Sequence, residues 1–556
     1  MYNASVTARP TRLAWLSWAL AAAAGPGLVA FCRIGDSDAG WHLALGRRIA
    51  GGAFPRTNAL TWTATDVPWY DTSWLWDWAT YLAQARFGLF SLQLITWLFF
   101  AAALCAVAFA CARRGTPGVV VAVALLLVPR LAVRPHVATW TGLAVVVALC
   151  ELGTLRARLL CVLVIAFAGN LHSGAPFAAG VLGFYCLQEF LRTRGARELA
   201  IAAAGVLALC ANPGGLFNLT SLVWHLRVRE VVVIEEYLRP TLSAQPLFFL
   251  LLPAALLLAW RGRRERPAEL AIVVVFGALG LQAYRMDSEF AIVTAPLFAG
   301  ALEGIGARFG RNARSAALGA LTLAAIFGYR GDLTLRRLDL AAAWDAQAQP
   351  VRAVEFARAH RIGGHLFNGY SAGGYLEWAL PESPSFVDGR VQCFPPGFFP
   401  AFYRAGHGAR EFDAWLRSLG VDWALTSRQL PWLSGRSMLD RPGWALVYWD
   451  ATDEIWLRRD AKANAALLGP LEYRHFLPRG SVVRSVAETA AGDLPAYAAE
   501  VERYEATTAE DPFAAVVRCA LAARFHRGVQ AECERAAALA PGPEVAALVR
   551  SAATLR

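Results

Sequence analysis

Asp36 and Asp38 stand just beyond the first long apolar run, in Gly35-Asp36-Ser37-Asp38-Ala39-Gly40-Trp41-His42. Charged and polar groups recur at the corresponding ends of later apolar runs. Arg130, Arg134 and His136 form one set, Asn170 and His172 a second, and Arg285, Asp287 and Glu289 a third. A fourth holds His225, Arg227, Arg229, Glu230, Glu235 and Glu236. Ionisable groups at membrane depth are expensive and usually serve function. A carboxylate can take the proton of an attacking hydroxyl, and arginines can grip a phosphate in bidentate pairs and stabilise its charge as it leaves. This is equipment for moving a group off a phosphate-linked lipid. The acids at i and i+2 can also share a divalent cation, Mg or Mn. A structural reading stands beside each: an Asp pair there also suits a helix cap or a solvated loop, and His172 a hydrogen-bonded helix end.

The elements that must position these groups are membrane helices. Of 556 residues, 56% are hydrophobic and only 17% charged, against roughly a quarter charged in soluble chains. Apolar runs at 13–32, 89–112, 117–133, 137–155, 159–173, 174–191, 198–215, 246–260, 268–284, 290–306 and 315–329 predict about eleven transmembrane helices. Arginine clusters at Arg9/Arg12, Arg113/Arg114, Arg156/Arg158, Arg192/Arg194/Arg197, Arg261/Arg263/Arg264/Arg266 and Arg308/Arg311/Arg314 then share one side, the cytoplasm. The net charge of +11 follows from that rule and gives no case for nucleic acid. The N-terminus is placed inside a bacterial inner membrane and everything after Asp332 in the periplasm. The 13–32 run is too long for a signal-peptide core and reads as a retained helix.

The first outer loop, 33–88, carries Trp41, Trp62, Trp69, Tyr70, Trp74, Trp76, Trp78 and Tyr81, rings that favour a membrane interface. Stretches Gly40–Gly51 and Thr72–Phe87 predict amphipathic helices lying on the membrane surface. The transmembrane region is taken as 1–332. Beyond it, helix-like Gln349–His360 and Glu411–Leu419 alternate with strand-like His365–Phe367, Ser385–Val387, Trp423–Thr426, Ala445–Trp449 and Glu454–Leu457. This predicts a soluble α/β domain over 345–460. An Ala-rich tail over 463–556 predicts helices Ala496–Glu505, Pro512–Phe525, Val529–Leu539 and Glu544–Ala553, two hairpins of tetratricopeptide type that can dock a protein partner. Cys519 and Cys533 can pair if the tail is periplasmic. The other cysteines show no metal-ligand spacing.

Asp36-Ser37-Asp38-Ala39-Gly40-Trp41-His42-Leu43-Ala44-Leu45-Gly46 resembles the D-P-D-x-W-W-H-L-x-x-G first outer loop of bacterial membrane glycosyltransferase relatives of the GT-C type. Phe54-Pro55-Arg56-Thr57, Pro68-Trp69, Arg134-Pro135-His136, Asn170-Leu171-His172-Ser173-Gly174 and Asn212-Pro213-Gly214-Gly215 continue the likeness. So do Leu366-Phe367-Asn368-Gly369-Tyr370, Gly373-Gly374-Tyr375-Leu376 and Val387-Asp388-Gly389-Arg390. Two departures stand out: the usual N-H-E-W reads Asp71-Thr72-Ser73-Trp74, without its His and Glu, and Gly40 replaces the second Trp of W-W-H. The resemblance implies a GT-C-like fold, an acidic residue in the first outer loop and a polyprenyl-phosphate-linked sugar as donor.

The resulting expectation is an inverting transferase that passes a sugar from a polyprenyl-phosphate carrier to a periplasmic acceptor. Asp36 or Asp38 is the base, with Asp36 nearer the first span. Arg134, Arg285 and Arg130 hold the phosphate, and His42, His136, Asn170 and His172 orient substrate oxygens. Asp388 and Arg390 read as a turn-stabilising pair or part of a site. Two alternatives are a membrane scaffold that keeps the fold without the reaction, and a lipid-linked-substrate transporter; the latter ranks last, for want of an inverted repeat.

Overall fold

The computed structural model describes residues 14–555 except 218, 222, 224–234, 329–340, 408, 429–441, 479–481, 509–510 and 540–541. His225, Arg227, Arg229 and Glu230 lie outside the described residues. The chain divides into two compact units. The first comprises 1–58, 66–344 and 390–399; the second comprises 59–65, 345–389 and 400–556.

In the first unit, each predicted apolar run forms a helix. They are α1 (Ala14–Ala24), α4 (Phe90–Arg114), α5 (Val119–Leu127), α6 (His136–Cys150), α7 (Leu155–Ala168), α8 (Ala175–Thr193), α9 (Ala196–Ala208), α10 (Pro246–Gly262), α11 (Pro267–Gln282), α12 (Asp287–Phe309) and α13 (Arg311–Gly328). The first loop adds α2 (Asp38–Ala50) and α3 (Trp74–Phe87). Three helical stretches, Ala14–Phe31, Phe90–Arg114 and Tyr284–Phe309, are long and apolar enough by length and composition to cross a bilayer; shorter apolar helices accompany them. One continuous apolar core, running from Ala19 to Ala325 and including Phe100, Trp140, Leu182 and Phe276, joins the bundle.

Of the two loop helices, α2 is the more deeply packed. Ala39, Gly40 and the run from His42 to Gly46 are buried in α2. Gly46 explains how α2 seats itself against α3: a Cβ there would lie 2.0 Å from the Asp77 carbonyl oxygen and 2.6 Å from Tyr81 Cβ. Only glycine permits so close a crossing. The aromatic residues follow suit. Trp69 and Trp76 are buried, whereas Trp78 is exposed, so packing, not a shared interface belt, accounts for the first two.

In the second unit, β1 (Leu366–Asn368), β2 (Trp423–Ser427), β3 (Trp444–Trp449) and β4 (Asp453–Arg458) form one sheet in the order β1-β2-β4-β3. β1 runs parallel to β2, and β4 is antiparallel to both β2 and β3. The parallel pair needs a crossover, and α15 (Gly373–Ala379) and α17 (Ala409–Ser418) fall within it; α14 (Val351–Ala359) precedes the sheet and α16 (Phe398–His407) bridges into α17. The expected strand at Ser385–Val387 is a single bridge between Thr61 and Ser385. Its partner comes from the first loop: Trp62 N–H donates to Ser385 O (3.1 Å), Trp62 Nε1 to Leu366 O (2.9 Å) and Thr63 Oγ1 to Phe386 O (2.6 Å). The Trp62 ring stacks on His365 at 4.2 Å. The tail forms α18 (Val482–Glu488), α19 (Leu494–Thr507), α20 (Pro512–Phe525), α21 (Val529–Leu539) and α22 (Pro543–Ala553), with α20 packed against both α21 and α22. A Cys519–Cys533 disulfide ties α20 to α21.

Candidate functional site

The segment after the first helix is pinned before it reaches the acids. Gln93 Nε2 donates to Phe31 O (3.1 Å) and Cys32 O (2.8 Å), and Ile34 N–H donates to Ala343 O (2.9 Å). Asp36 Oδ1 then accepts the Asp38 amide at 3.0 Å. Asp38 opens α2, where a carboxylate is favoured by the unpaired amides of the first turn.

Arg134, in the turn that leads into α6, meets three carboxylates. It pairs with Asp38, lies 3.4 Å from Asp36 Oδ2 and donates to Glu236 Oε1 at 2.8 Å. Glu236 is also approached by Arg285 (3.3 Å) and Arg130 (3.8 Å). Arg130 further donates to the Arg285 carbonyl, and the Arg285 guanidinium lies 4.8 Å over the Tyr237 ring. Three guanidinium groups thus converge on one carboxylate beside the two aspartates. Burial dominates Asp36 and lifts its carboxyl to about 6, against the opposing pull of Arg134. Glu236 is held well below the usual carboxylate range: burial opposes its charge, but Arg134, Arg285 and Arg130 together outweigh that.

One helical turn after Asp38, His42 faces a second acidic group. Its Nδ1 lies 2.6 Å from Asp77 Oδ1, with both side chains buried. Asp71 stands close enough to Asp77 for the two carboxyls to act on each other, the Oδ2 atom of each is buried without a hydrogen-bond partner among the described residues, and Asp71 Oδ1 accepts the Ser73 amide at 2.8 Å. Burial raises both carboxyls, Asp71 to about 6. Burial, followed by the nearby Arg134 charge, drives the His42 imidazole well below its ordinary value. Arg390 donates to Asn58 Oδ1 at 3.0 Å and sits 5.1 Å over the Trp69 ring; its charge also acts on Asp71, Asp77 and His42.

Among the expected site residues, the structure gathers Asp36, Asp38, Arg130, Arg134 and Arg285, with His42 adjoining them. His136 supports the cluster: its Nε2 is 2.7 Å from the Arg130 carbonyl oxygen. His172 Nδ1 lies 2.7 Å from Thr139 Oγ1. Asn170 is held by protein groups. Its Oδ1 accepts from Trp74 Nε1 (2.7 Å) and its Nδ2 donates to Ala166 O and Ala211 O (both 2.8 Å), so the side chain ties protein to protein. The Asp36–Asp38 pair faces a guanidinium, and among the described residues no group of three or more His, Cys, Asp or Glu is placed to hold a metal ion.

Asp71 and Asp77 escaped the sequence reading as site residues, Arg390 entered it with Asp388 as a turn-stabilising pair or part of a site, and Glu236 was only one charge in a loop. Asp77 lies inside a tryptophan-rich helix that reads as an anchor. One signal was available: Asp71 occupies the position where the resembled motif departs from its usual residues.

No protein-family model matches the chain, and comparison with curated protein sequences gives no match. Solved structures do match. The Archaeoglobus fulgidus oligosaccharyltransferase in its apo form has a TM-score of 0.51 at 12% identity, covering 81% of this chain and 75% of that one. The same enzyme tethered to an acceptor peptide containing the NVT sequon gives 0.52 at 11% identity, covering 81% and 74%. ArnT from Cupriavidus metallidurans, bound to undecaprenyl phosphate, gives 0.43 at 15%, covering 84% of this chain and 100% of that one. The chain therefore has the fold of the GT-C membrane glycosyltransferases.

Proposed function

We propose that this protein is a membrane glycosyltransferase that moves a sugar from a polyprenyl-phosphate carrier to an acceptor at the periplasmic face. The observation that carries this reading is the convergence of Arg130, Arg134 and Arg285 on Glu236, beside Asp36. Three guanidiniums already hold one oxyanion. A lipid phosphate offers the same charge and a better match to their forked donors.

Asp36 is the base. Asp38 is the more tightly engaged with Arg134, while Asp36 stands farther from it and has a carboxyl lifted to about 6, which suits proton transfer near neutral pH. The acceptor hydroxyl oxygen attacks the anomeric carbon and its proton passes to Asp36. The bond from that carbon to the phosphate oxygen breaks, and its electron pair leaves on the phosphate, where the arginines stabilise it. Direct displacement inverts the anomeric centre.

We assign eleven membrane crossings, with the arginine-rich turns cytoplasmic and the C-terminal region periplasmic. The Cys519–Cys533 disulfide supports an oxidising compartment for the tail. There the α/β region and helical tail would select the acceptor. The Asp71-Thr72-Ser73 departure favours the scaffold reading instead.

The test uses the purified full chain in nanodiscs with undecaprenyl-phosphate-linked hexoses and pentoses, following release of undecaprenyl phosphate. Sugar-dependent release, abolished in D36N, is the expected result. No release from any donor, together with unchanged surface glycans in cells carrying D36N and D38N, would favour the scaffold. Rates should be equal in chelator and in excess Mg²⁺ or Mn²⁺; loss on chelation with recovery on metal addition would restore a cation to the Asp36–Asp38 pair.

A further inference from the structure

His42 is buried, its Nδ1 is committed to Asp77, and Nε2 meets no protein partner among the described residues. Behind it, Asp71 Oδ1 takes the Ser73 amide and Asp77 Oδ1 lies against His42 Nδ1, while the two Oδ2 atoms are buried with no hydrogen-bond partner among the described residues. Two neighbouring buried carboxyls cannot both hold their charge, and one shared proton satisfies both oxygens. The pair thus carries a single negative charge, set against Arg390.

We propose that the proton-sharing Asp71–Asp77 pair locks His42 as its neutral Nδ1–H tautomer, so that Nε2 accepts a hydrogen bond from a hydroxyl of the transferred sugar. The sugar contact rests on the glycosyltransferase reading; the tautomer does not. His42 is a positioning residue in this scheme, one helical turn from Asp38 and so roughly 5–6 Å from it along α2. The groups acting on it come from every side: Asp77 on α3, Asp71 before α3, Arg134 and His136 at the start of α6, His172 before α8, and Arg390. Four of these six are cations or can become cations. A positive charge on His42 is therefore disfavoured, and a neutral ring follows. A neutral ring with one lone pair outward selects a hydrogen-bond donor on the substrate, which means a hydroxyl. A carboxylate or phosphate at that position would meet lone pair against lone pair.

The tautomer is read by long-range ¹H–¹⁵N NMR of the full chain in nanodiscs with ¹⁵N-labelled histidine, His42 being assigned by its loss in H42Q. The wild type should show protonated Nδ1 and bare Nε2. D77N offers an amide N–H to Nδ1 and should flip the ring to Nε2–H. D71N can donate to Asp77 as the shared proton does, and should keep the wild-type tautomer. A wild-type ring that is doubly protonated or carries Nε2–H would overturn the lock, as would a D77N ring that does not flip. The second arm compares D77N with wild type for binding of undecaprenyl phosphate and for transfer from the sugar-linked carrier. Equal binding with transfer reduced at least tenfold is expected. Equal transfer despite a flipped ring would remove the sugar hydroxyl from the proposal. If the tautomers behave as stated and wild type transfers nothing from any donor, the lock stands and the glycosyltransferase reading falls.

Discussion

The first unit holds two arginine–carboxylate networks at opposite ends of its bundle, built of the same residue types and put to different uses. At the end of α6 away from His136, Arg114 contacts Glu151 (3.2 Å) and Glu269, and Arg266 contacts Glu151 (3.4 Å) and Glu269 (3.0 Å). Tyr185 adds a hydrogen bond to Glu151 at 2.8 Å. Each acid meets two arginines, and the side chains come from helix ends or residues just beyond them. Gly115 lets the turn after α4 close in: a Cβ there would lie 2.3 Å from the Ala299 carbonyl oxygen. The Asp36–Arg134–Glu236 network rests instead on turns and short segments. Its central carboxylate is 25% exposed and gathers three guanidiniums, whereas Glu151 is 3% exposed and gathers two. A network closed on itself holds helices together. One that stays partly open, with three guanidiniums reaching a single partly exposed acid, keeps donors that can turn to another anion.

The sharpest break in this comparison is D36N. Transfer should fall about 10²–10⁴-fold, the usual worth of a general base, with no loss of folded protein in size-exclusion chromatography. Wild-type kcat should rise through a midpoint of about 6 as Asp36 ionises, and a low-activity D36N profile should lack that limb. The linkage has its own sign. A carboxyl raised from 3.8 to about 6 favours the folded state while protonated, so this contribution is present below pH 4 and fades as pH climbs through 6. D36N should remove that slope from the thermal midpoint.

At the opposite end, R114A should cost about 1–3 kcal/mol of stability, because it leaves two buried acids with Arg266 as their one remaining arginine. Thermal or denaturant unfolding reads this, and kcat per folded molecule should change little. R134Q should do the reverse: transfer about 10²–10³-fold slower, the range for losing one donor to a developing oxyanion, with a small shift in melting. If R134Q unfolds the chain while R114A slows transfer, the two networks have been assigned the wrong way round. The smallest effect is expected from G46A, where the added methyl must push α2 from α3 at a cost of about 1–3 kcal/mol. NMR should show the His42 ring signals shifted as Asp77 withdraws.

Hydropathy and punctuation showed the helices of the first unit, because runs of apolar residues have few other uses. They also pointed to Asp36, Arg134 and Arg285, since charge at a helix end stands out against an apolar background. The Asp71–Asp77 pair beside His42 stayed hidden for the opposite reason: these acids lie among tryptophans and ordinary loop residues, and nothing local says that α3 crosses α2 at Gly46. Arg390 could be read only as a turn-stabilising pair or part of a site with Asp388, because the residues it meets, Asn58 and Trp69, lie more than 300 positions earlier. Ser385–Phe386 reads as a strand from its composition, but its partner, Thr61–Thr63, lies more than 300 residues earlier, and no local pattern predicts so distant a pairing.

That pairing limits how the chain can be cut. A fragment beginning at 345 would carry every strand of the four-stranded sheet and yet lack residues 59–65, leaving Ser385 and Phe386 without the backbone and hydroxyl partners they have here and His365 without its indole cover. Such a truncation should be sticky and poorly soluble unless the missing heptapeptide is supplied in trans. By the same token, this half cannot be transplanted onto another protein as a single contiguous cassette.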